Sequence, residues 1–316
     1  MTVNLVALSH SPLIEFVDPP AATRERVEKA FEEAKSFVQE KKPDLAVIFA
    51  PDHYNGFFYD MMPPFCLGAQ AESLGDFGTT AGALSVDHDA AWKIHGDVLA
   101  DGIDLPISER MIVDHGFAQP LELLFGGLDA IPVVPIFINS VAYALGPVNR
   151  IRLLGEAVGR SLASLDRNII IIGSGGLSHD PPVPKFATAS PRIQEALIDG
   201  RDITPEGRAR VEARTIAAAR AFAADEAEYM RPLNSEWDNE LLDILASGNI
   251  SAIDAWTNEF FVEQAGNSSH EVRTWVAAYA AMSVLGPYDV TYRFYEEIKE
   301  WIAGFAVTTA VQRPVA

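Results

Sequence analysis

Four of the seven histidines in this 316-residue chain sit where an apolar run gives way to turn residues. His10 follows Val3–Leu8, His53 follows Leu45–Ala50 through Pro51-Asp52, His115 follows Met111–Val113, and His179 follows Ile169–Ile172 through Gly173-Ser174-Gly175-Gly176. Imidazole is the commonest protein ligand for transition metals and the commonest general acid or base near neutral pH. Turn residues beside a strand end are where functional side chains collect. His10, His53, His115 and His179 therefore point to one cleft, with a mononuclear metal site as the leading reading. His88 and His95 lie in a charge-rich helical stretch and His270 opens a helix, so these three read as structural.

The elements that must position those histidines follow from periodicity. Val27, Ala30, Phe31, Ala34 and Val38 trace one face of a helix that stops at Lys41-Lys42-Pro43. Val3–Leu8, Leu45–Ala50, Val133–Ile138 and Ile169–Ile172 are short, β-branched runs typical of buried strands, with a shorter one at Met111–Val113. Helices are expected around Ala90–Leu99, Gln119–Phe125 and Ile151–Leu165. From about residue 189 the pattern is mainly helical: Ala-rich to Ala224, then Trp237–Leu245, then Ser269–Leu285 stopped by Gly286-Pro287. The alternation of strand and helix predicts an α/β fold over 1–316: a single domain with a central, mostly buried sheet flanked by helices, and a helical C-terminal lobe.

Composition narrows the function. Hydrophobic residues make up 48% and charged residues 22%, as in ordinary globular proteins. A net charge of −20 repels phosphate backbones and anionic lipid surfaces, so neither nucleic acid nor membrane is an expected partner. Cys66 is the lone cysteine, which excludes an intrachain disulfide and a Cys-based zinc or iron–sulfur site. No run approaches the ~18 apolar residues of a membrane span and no signal-peptide pattern opens the chain, so a reducing cytoplasm is the expected setting.

The Gly173-Ser174-Gly175-Gly176 run resembles a phosphate loop, but such a loop needs a helix immediately after it. His179-Asp180-Pro181-Pro182-Val183-Pro184 holds the chain extended instead. A serine hydrolase using Ser174 or Ser178 lacks a G-x-S-x-G elbow.

The segments LSHSPL (8–13), APDHYNGFFYDMMPPFC (50–66), VDHGFAQPLELL (113–124), GSGGLSHDPPVP (173–184) and HEVRTWVAA (270–278) resemble the class III extradiol ring-cleavage dioxygenases, and the likeness runs to Trp301-Ile302-Ala303-Gly304-Phe305. The resemblance implies a ferrous site held by His10, His53 and Glu271. His115 would be proton donor and His179 proton acceptor beside it. It implies cleavage, with both atoms of O2, of a 2,3-dihydroxyphenylpropionate-type catechol between a hydroxylated carbon and the adjacent alkyl-bearing carbon, and a homo-oligomer of four or more subunits. Two imidazoles and a carboxylate on one face of Fe(II) leave adjacent positions open for catechol and O2, which suits that chemistry.

Glu271 has a competing reading: Ser268-x-x-Glu271 is also a capping box, in which the glutamate bonds back to the helix start. Glu236 and Asp238 are the rival carboxylates. Asp52 and Asp114, next in sequence to His53 and His115, count as ordinary polar residues, because neighbours in an extended segment point to opposite faces. Arg273, two residues beyond Glu271 on a helix, is expected to face away from it. Tyr54, Phe57, Phe58 and Phe117 are candidate walls of an aromatic pocket, or plain core. The same ligands also suit a zinc-dependent hydrolase or lyase, and a non-catalytic binding protein on this fold is the remaining rival.

Overall fold

A computed structural model describes residues 2–313. The strands are β1 (Thr2–Leu8), β2 (Leu45–Ala50), β3 (Phe65–Gly68), β4 (Ala71–Leu74), β5 (Ala81–Ala83), β6 (Ile107–Ser108), β7 (Met111–Val113), β8 (Val133–Ile138), β9 (Asn168–Ser174), β10 (Tyr288–Ile298) and β11 (Ala303–Gln312). The helices are α1 (Ala21–Lys41), α2 (His88–Ala100), α3 (His115–Phe125), α4 (Asn149–Leu162), α5 (Pro191–Ile198), α6 (Pro205–Ala223), α7 (Ser235–Ser247), α8 (Asn258–Ala265) and α9 (Val272–Ser283).

Eight strands form one sheet in the order β10-β11-β1-β9-β2-β8-β3-β6, and β5-β4-β7 form a small second sheet. The centre, β1-β9-β2-β8, is parallel. Such strands are covered on both faces, which explains their unbroken apolar sequences. Alternate side chains enter opposite cores. Val3, Leu5, Ala7, Ile169 and Ile171 join one cluster with residues of α2, α4, α7 and α9. Val6, Leu8, Ile170 and Ile172 join the other with residues of α1 and α3.

The mixed α/β class and the large helix-flanked sheet are as expected, and helices do dominate residues 191–283. Past α9 the described residues are mainly strand. β10 and β11 form a long antiparallel ribbon, and β11 extends the sheet by pairing with β1. Its sequence, AGFAVTTAVQ, has no polar/apolar alternation because eight of its ten residues are buried. A strand covered on both faces lacks the period-2 signal that identifies half-exposed strands.

Parallel register decides where the site lies. Leu8 of β1 is level with Ser174 of β9, and Phe49 of β2 with Gly173. All three strands therefore deliver their following residues to the same edge, the carboxyl end of the sheet, where clefts form in open α/β folds.

Candidate active site

His10 leaves β1 and turns its Nδ1 to Ser174 Oγ at 2.8 Å, and that hydroxyl donates in turn to the Gly116 carbonyl at 2.7 Å. His53, just past β2, presents Nδ1 to Asp114 Oδ2 at 3.0 Å and Nε2 to Glu271 Oε1 at 3.1 Å. His179, past β9, places Nδ1 2.9 Å from the Leu177 carbonyl and Nε2 3.0 Å from Glu271 Oε1. Glu271 Oε2 lies 3.6 Å from His10 Nε2 and accepts the Gly176 amide at 3.0 Å. One buried carboxylate thus faces imidazoles from three separate strand ends.

His115 opens α3 and stacks on the His53 ring with centroids 4.5 Å apart. Its Nδ1 and backbone amide both meet the Asp76 carboxylate, at 2.5 and 2.8 Å. Its Nε2 is buried without a partner among the described residues. The ligand atoms of His10, His53 and His115 fall within 4.8 Å of one another. All five residues expected from the sequence, His10, His53, His115, His179 and Glu271, are gathered here.

The capping-box alternative for Glu271 does not describe this helix. Among the described residues no side chain caps α9, and the glutamate side chain is turned to Gly176 and the histidines. The glycine run after β9 serves packing: a methyl group at Gly175 would lie 2.8 Å from the Glu271 carbonyl oxygen. Removing Cβ there lets the loop touch the start of α9, so that Gly176 can reach the carboxylate.

Asp114 corrects the expectation that it is merely polar. It does not serve its neighbour His115 but crosses to His53, accepting from the backbone amide at 2.8 Å as well as from the ring, and it caps α3 through the Gly116 amide at 2.9 Å. Asp52 does not touch an imidazole; it accepts amides of Asn55, Gly56 and Phe57 and so shapes the turn after His53. Asp76 is not legible in the sequence as a partner of His115. Its only local signal is the Gly75-Asp76-Phe77-Gly78 turn, where Gly75, Phe77 and Gly78 all have positive φ. Of the rival carboxylates, Glu236 is exposed. Asp238 is buried and accepts from the Ser178 amide, Ser178 Oγ and Tyr295 hydroxyl at 2.7, 2.6 and 2.8 Å, fixing the segment that carries His179. Phe58 and Phe117 are core, Phe57 stacks on Phe137, and Tyr54 alone of the four lines a small hollow, with Tyr59, Tyr143, Phe186 and Ser268.

Burial and these contacts set the charges. Burial pushes His10 down to about 3, the neutral form a metal requires. Burial also opposes protonation of His53, but Asp114 and Glu271 outweigh it and raise its pKa well above the ordinary value. His115 is likewise raised against burial by Asp76 and Asp114, and His179 by Glu271. Burial disfavours the Glu271 anion, yet His179, His53 and His10 hold its pKa well below the usual carboxylate range.

The donor set fits a metal. Two donors at right angles on an ion with bonds of about 2.1 Å are roughly 3 Å apart, the spacing seen between His53 Nε2 and Glu271 Oε1. The Glu271 carboxylate, buried and held anionic between His53 Nε2 and His10 Nε2, supplies the negative charge that a divalent cation at this junction requires.

A family model described as the catalytic LigB subunit of aromatic ring-opening dioxygenase matches residues 4–309. A protein of Rhodococcus sp named 2,3-dihydroxyphenylpropionate/2,3-dihydroxicinnamic acid 1,2-dioxygenase is 62% identical over 311 residues, 98% of this chain and 99% of its own length. Proteins with the same name from Rhodococcus jostii (strain RHA1) and Mycolicibacterium smegmatis are 61% and 49% identical, each over 98% of this chain and 99% of their own.

Proposed function

The chain belongs to the family of catalytic LigB subunits of aromatic ring-opening dioxygenases, and from that premise we propose that it cleaves the ring of 3-(2,3-dihydroxyphenyl)propionate-type catechols with O2. The product is a 2-hydroxy-6-oxonona-2,4-dienedioate-type dicarboxylate, formed in the catabolism of aromatic compounds. The supporting observation is the single Glu271 carboxylate touching His53 and His179 and facing His10 at the carboxyl edge of the sheet.

In this reading His10 Nε2, His53 Nε2 and Glu271 hold Fe(II). Ferrous iron supplies the electron exchange that lets dioxygen react with an aromatic ring. The residues around it do the rest. Asp114 fixes the proton of His53 on Nδ1, which leaves Nε2 as the donor atom. Ser174 orients His10 in the same way. Asp76 keeps a proton on His115 Nδ1 and, against burial, favours its protonated form, so His115 is the group placed to give up a proton from Nε2 when the O–O bond breaks. His179 donates from Nδ1 to the Leu177 carbonyl, so Nε2 is the atom that takes the hydroxyl proton of the incoming catechol once the charge of Glu271 is engaged elsewhere.

A panel of catechols, assayed by O2 uptake and by the yellow colour of a ring-fission product with anaerobically loaded Fe(II), tests the proposal. Stoichiometric O2 consumption with a 2,3-dihydroxyphenylpropionate-type substrate is expected. Full activity with zinc and no O2 consumption would establish a hydrolase or lyase instead.

A further inference from the structure

Substrates of the proposed class end in a carboxylate, and a chain with net charge −20 needs a local cation to receive it. Most cations near the histidines are committed or exposed. Arg201 pairs with Asp60 and Asp199, Arg208 donates to Asn55, and Lys185 is exposed to solvent with its Nζ on Asn267 Oδ1. Arg273 differs from all of these. It is 1% exposed, and its guanidinium donates to two neutral oxygens, Gly146 O at 2.9 Å and Asn258 Oδ1 at 2.6 Å. Its Nε is buried without a partner, and no carboxylate among the described residues forms an ion pair with it. A guanidinium has five N–H donors, so most of its capacity is unused. Long charged side chains are almost never fully buried unless paired.

Arg273 forms part of the wall of a cavity of about 590 Å³. The same wall carries a second cation, Arg150; among the described residues Arg150 forms no ion pair and no aspartate or glutamate lines the wall. Tyr59 and Tyr143 line this cavity and also line the hollow formed by Tyr54, Phe186 and Ser268 beside the histidine loops. The Tyr143 ring meets His270 edge-on at 5.8 Å, one residue before Glu271. The two spaces therefore share a wall of phenol rings; one is bounded by Tyr54 and Ser268, next in sequence to His53 and three residues before Glu271, and the other by a buried guanidinium that rests on the Phe261 ring and has no carboxylate partner among the described residues.

We propose that this cavity is a carboxylate subsite: Arg273 at its buried wall and Arg150 at its exposed side receive the terminal carboxylate of an arylpropanoid substrate whose ring lies between Tyr59 and the histidines. The identity of the ligand rests on the ring-cleavage reading above; the anion preference of the cavity rests only on its charges. Charge-assisted, two-point recognition of a planar carboxylate is what a guanidinium does best.

Two measurements separate the claims. Isothermal titration calorimetry on the metal-free protein compares 3-phenylpropionate, an anion with no hydroxyl to chelate a metal, with neutral 3-phenylpropan-1-ol. Wild type is expected to favour the anion by roughly tenfold, Arg273→Gln and Arg150→Glu to lose most of that preference, and Arg273→Lys to restore part of it. With the iron-loaded enzyme, the ratio of kcat/KM for the carboxylate catechol to that for 3-propylcatechol should fall in both variants, through KM rather than kcat. Absence of anion preference in wild type overturns the subsite, as does its persistence in folded Arg273→Gln and Arg150→Glu. An equal loss for charged and neutral ligands makes Arg273 a structural staple and also overturns it. If Arg273→Gln does not fold, Arg150→Glu decides by the same criterion. If no catechol is cleaved but the calorimetric preference depends on these arginines, the ring-cleavage reading fails and the anion site stands.

Discussion

Replacing Gly304 by alanine should disable the protein from outside its histidine cluster. Gly304 lies in β11, where its amide donates to the Ser178 carbonyl at 2.8 Å and its carbonyl accepts from Leu177 at 3.1 Å. A methyl group there would overlap Asp238 Oδ2 and come within 2.9 Å of Ser178 Oγ. The oxygen it displaces accepts from Ser178 Oγ and the Tyr295 hydroxyl, at 2.6 and 2.8 Å. Each lost bond to a charged group costs about 1.5–3 kcal/mol. Partial retention by a rotated carboxylate reduces the sum, and overpacking adds about 1–3 kcal/mol, so the net expectation is about 3–5 kcal/mol. Urea unfolding of Gly304→Ala measures it, and because Ser178 precedes His179 the variant should also lose activity under conditions where it is still folded. In an Asp238→Ala background the overlap is gone, so adding Gly304→Ala should cost under about 1 kcal/mol more. Additive effects in the double variant, or a cost below about 1 kcal/mol for Gly304→Ala alone, would refute the steric reasoning.

Two further expectations concern the carboxylates that surround the histidines. Asp114→Asn removes the anion that holds His53 in its Nδ1–H form, and metal affinity measured by competition with a chelator should fall about 10–100-fold, as for other groups that orient metal-bound imidazoles. Unchanged affinity would show that Asp114 acts only as the cap of α3. Burial pushes Asp238 up to about 6, against an ordinary value near 3.8. The native state then holds this proton more tightly than the unfolded state, so the associated stability is fully present below about pH 4 and is lost as pH rises through 6. Relative to wild type, Asp238→Asn should flatten the stability curve between about pH 4 and 6.5, by at most ~3 kcal/mol. Parallel curves for the two proteins would contradict the raised pKa.

The sequence displayed the strands and the histidines because both leave short-range marks. β1, β2, β8 and β9 are contiguous apolar runs, and His10, His53 and His179 each follow one directly. What it concealed depends on contacts across long separations. Asp76 reaches His115 over 39 positions, and Asp114 reaches His53 over 61. Local geometry correctly directs Asp114 away from His115 but cannot say what lies on the other side. Arg273 was expected to face away from Glu271; its guanidinium indeed turns to Gly146 and Asn258, but what it meets is a cavity rather than solvent. β10 and β11 are not legible in the sequence, because β11 is buried on both faces and β10 carries a register shift between Val290 and Tyr292. Glu271 was legible only through the resemblance, since its local pattern is equally that of a helix cap.

The charge pattern of the cluster makes metal binding a proton-releasing event. In the metal-free protein both nitrogens of His53 face carboxylates, Nδ1 at 3.0 Å from Asp114 and Nε2 at 3.1 Å from Glu271, and an imidazole satisfies two anions only as the doubly protonated cation. Its pKa is raised well above the usual histidine range for that reason. His179 Nε2, 3.0 Å from the same Glu271 oxygen, which raises its pKa against burial, can contribute a second. His10, pushed down to about 3 by burial, is already neutral and contributes nothing. A divalent ion bound at His53 Nε2 must expel the proton there, while Asp114 keeps the one on Nδ1. About one to two protons should therefore leave per ion near pH 7, and apparent affinity should rise with pH by about one to two decades per pH unit until His53 and His179 are deprotonated without metal. Calorimetry of Fe(II) or Zn(II) binding in two buffers of different ionisation enthalpy counts these protons directly. Release of none at pH 7 would mean that His53 either carries no proton on Nε2 in the metal-free protein or is not a ligand, and the triad of His10, His53 and Glu271 would have to be redrawn.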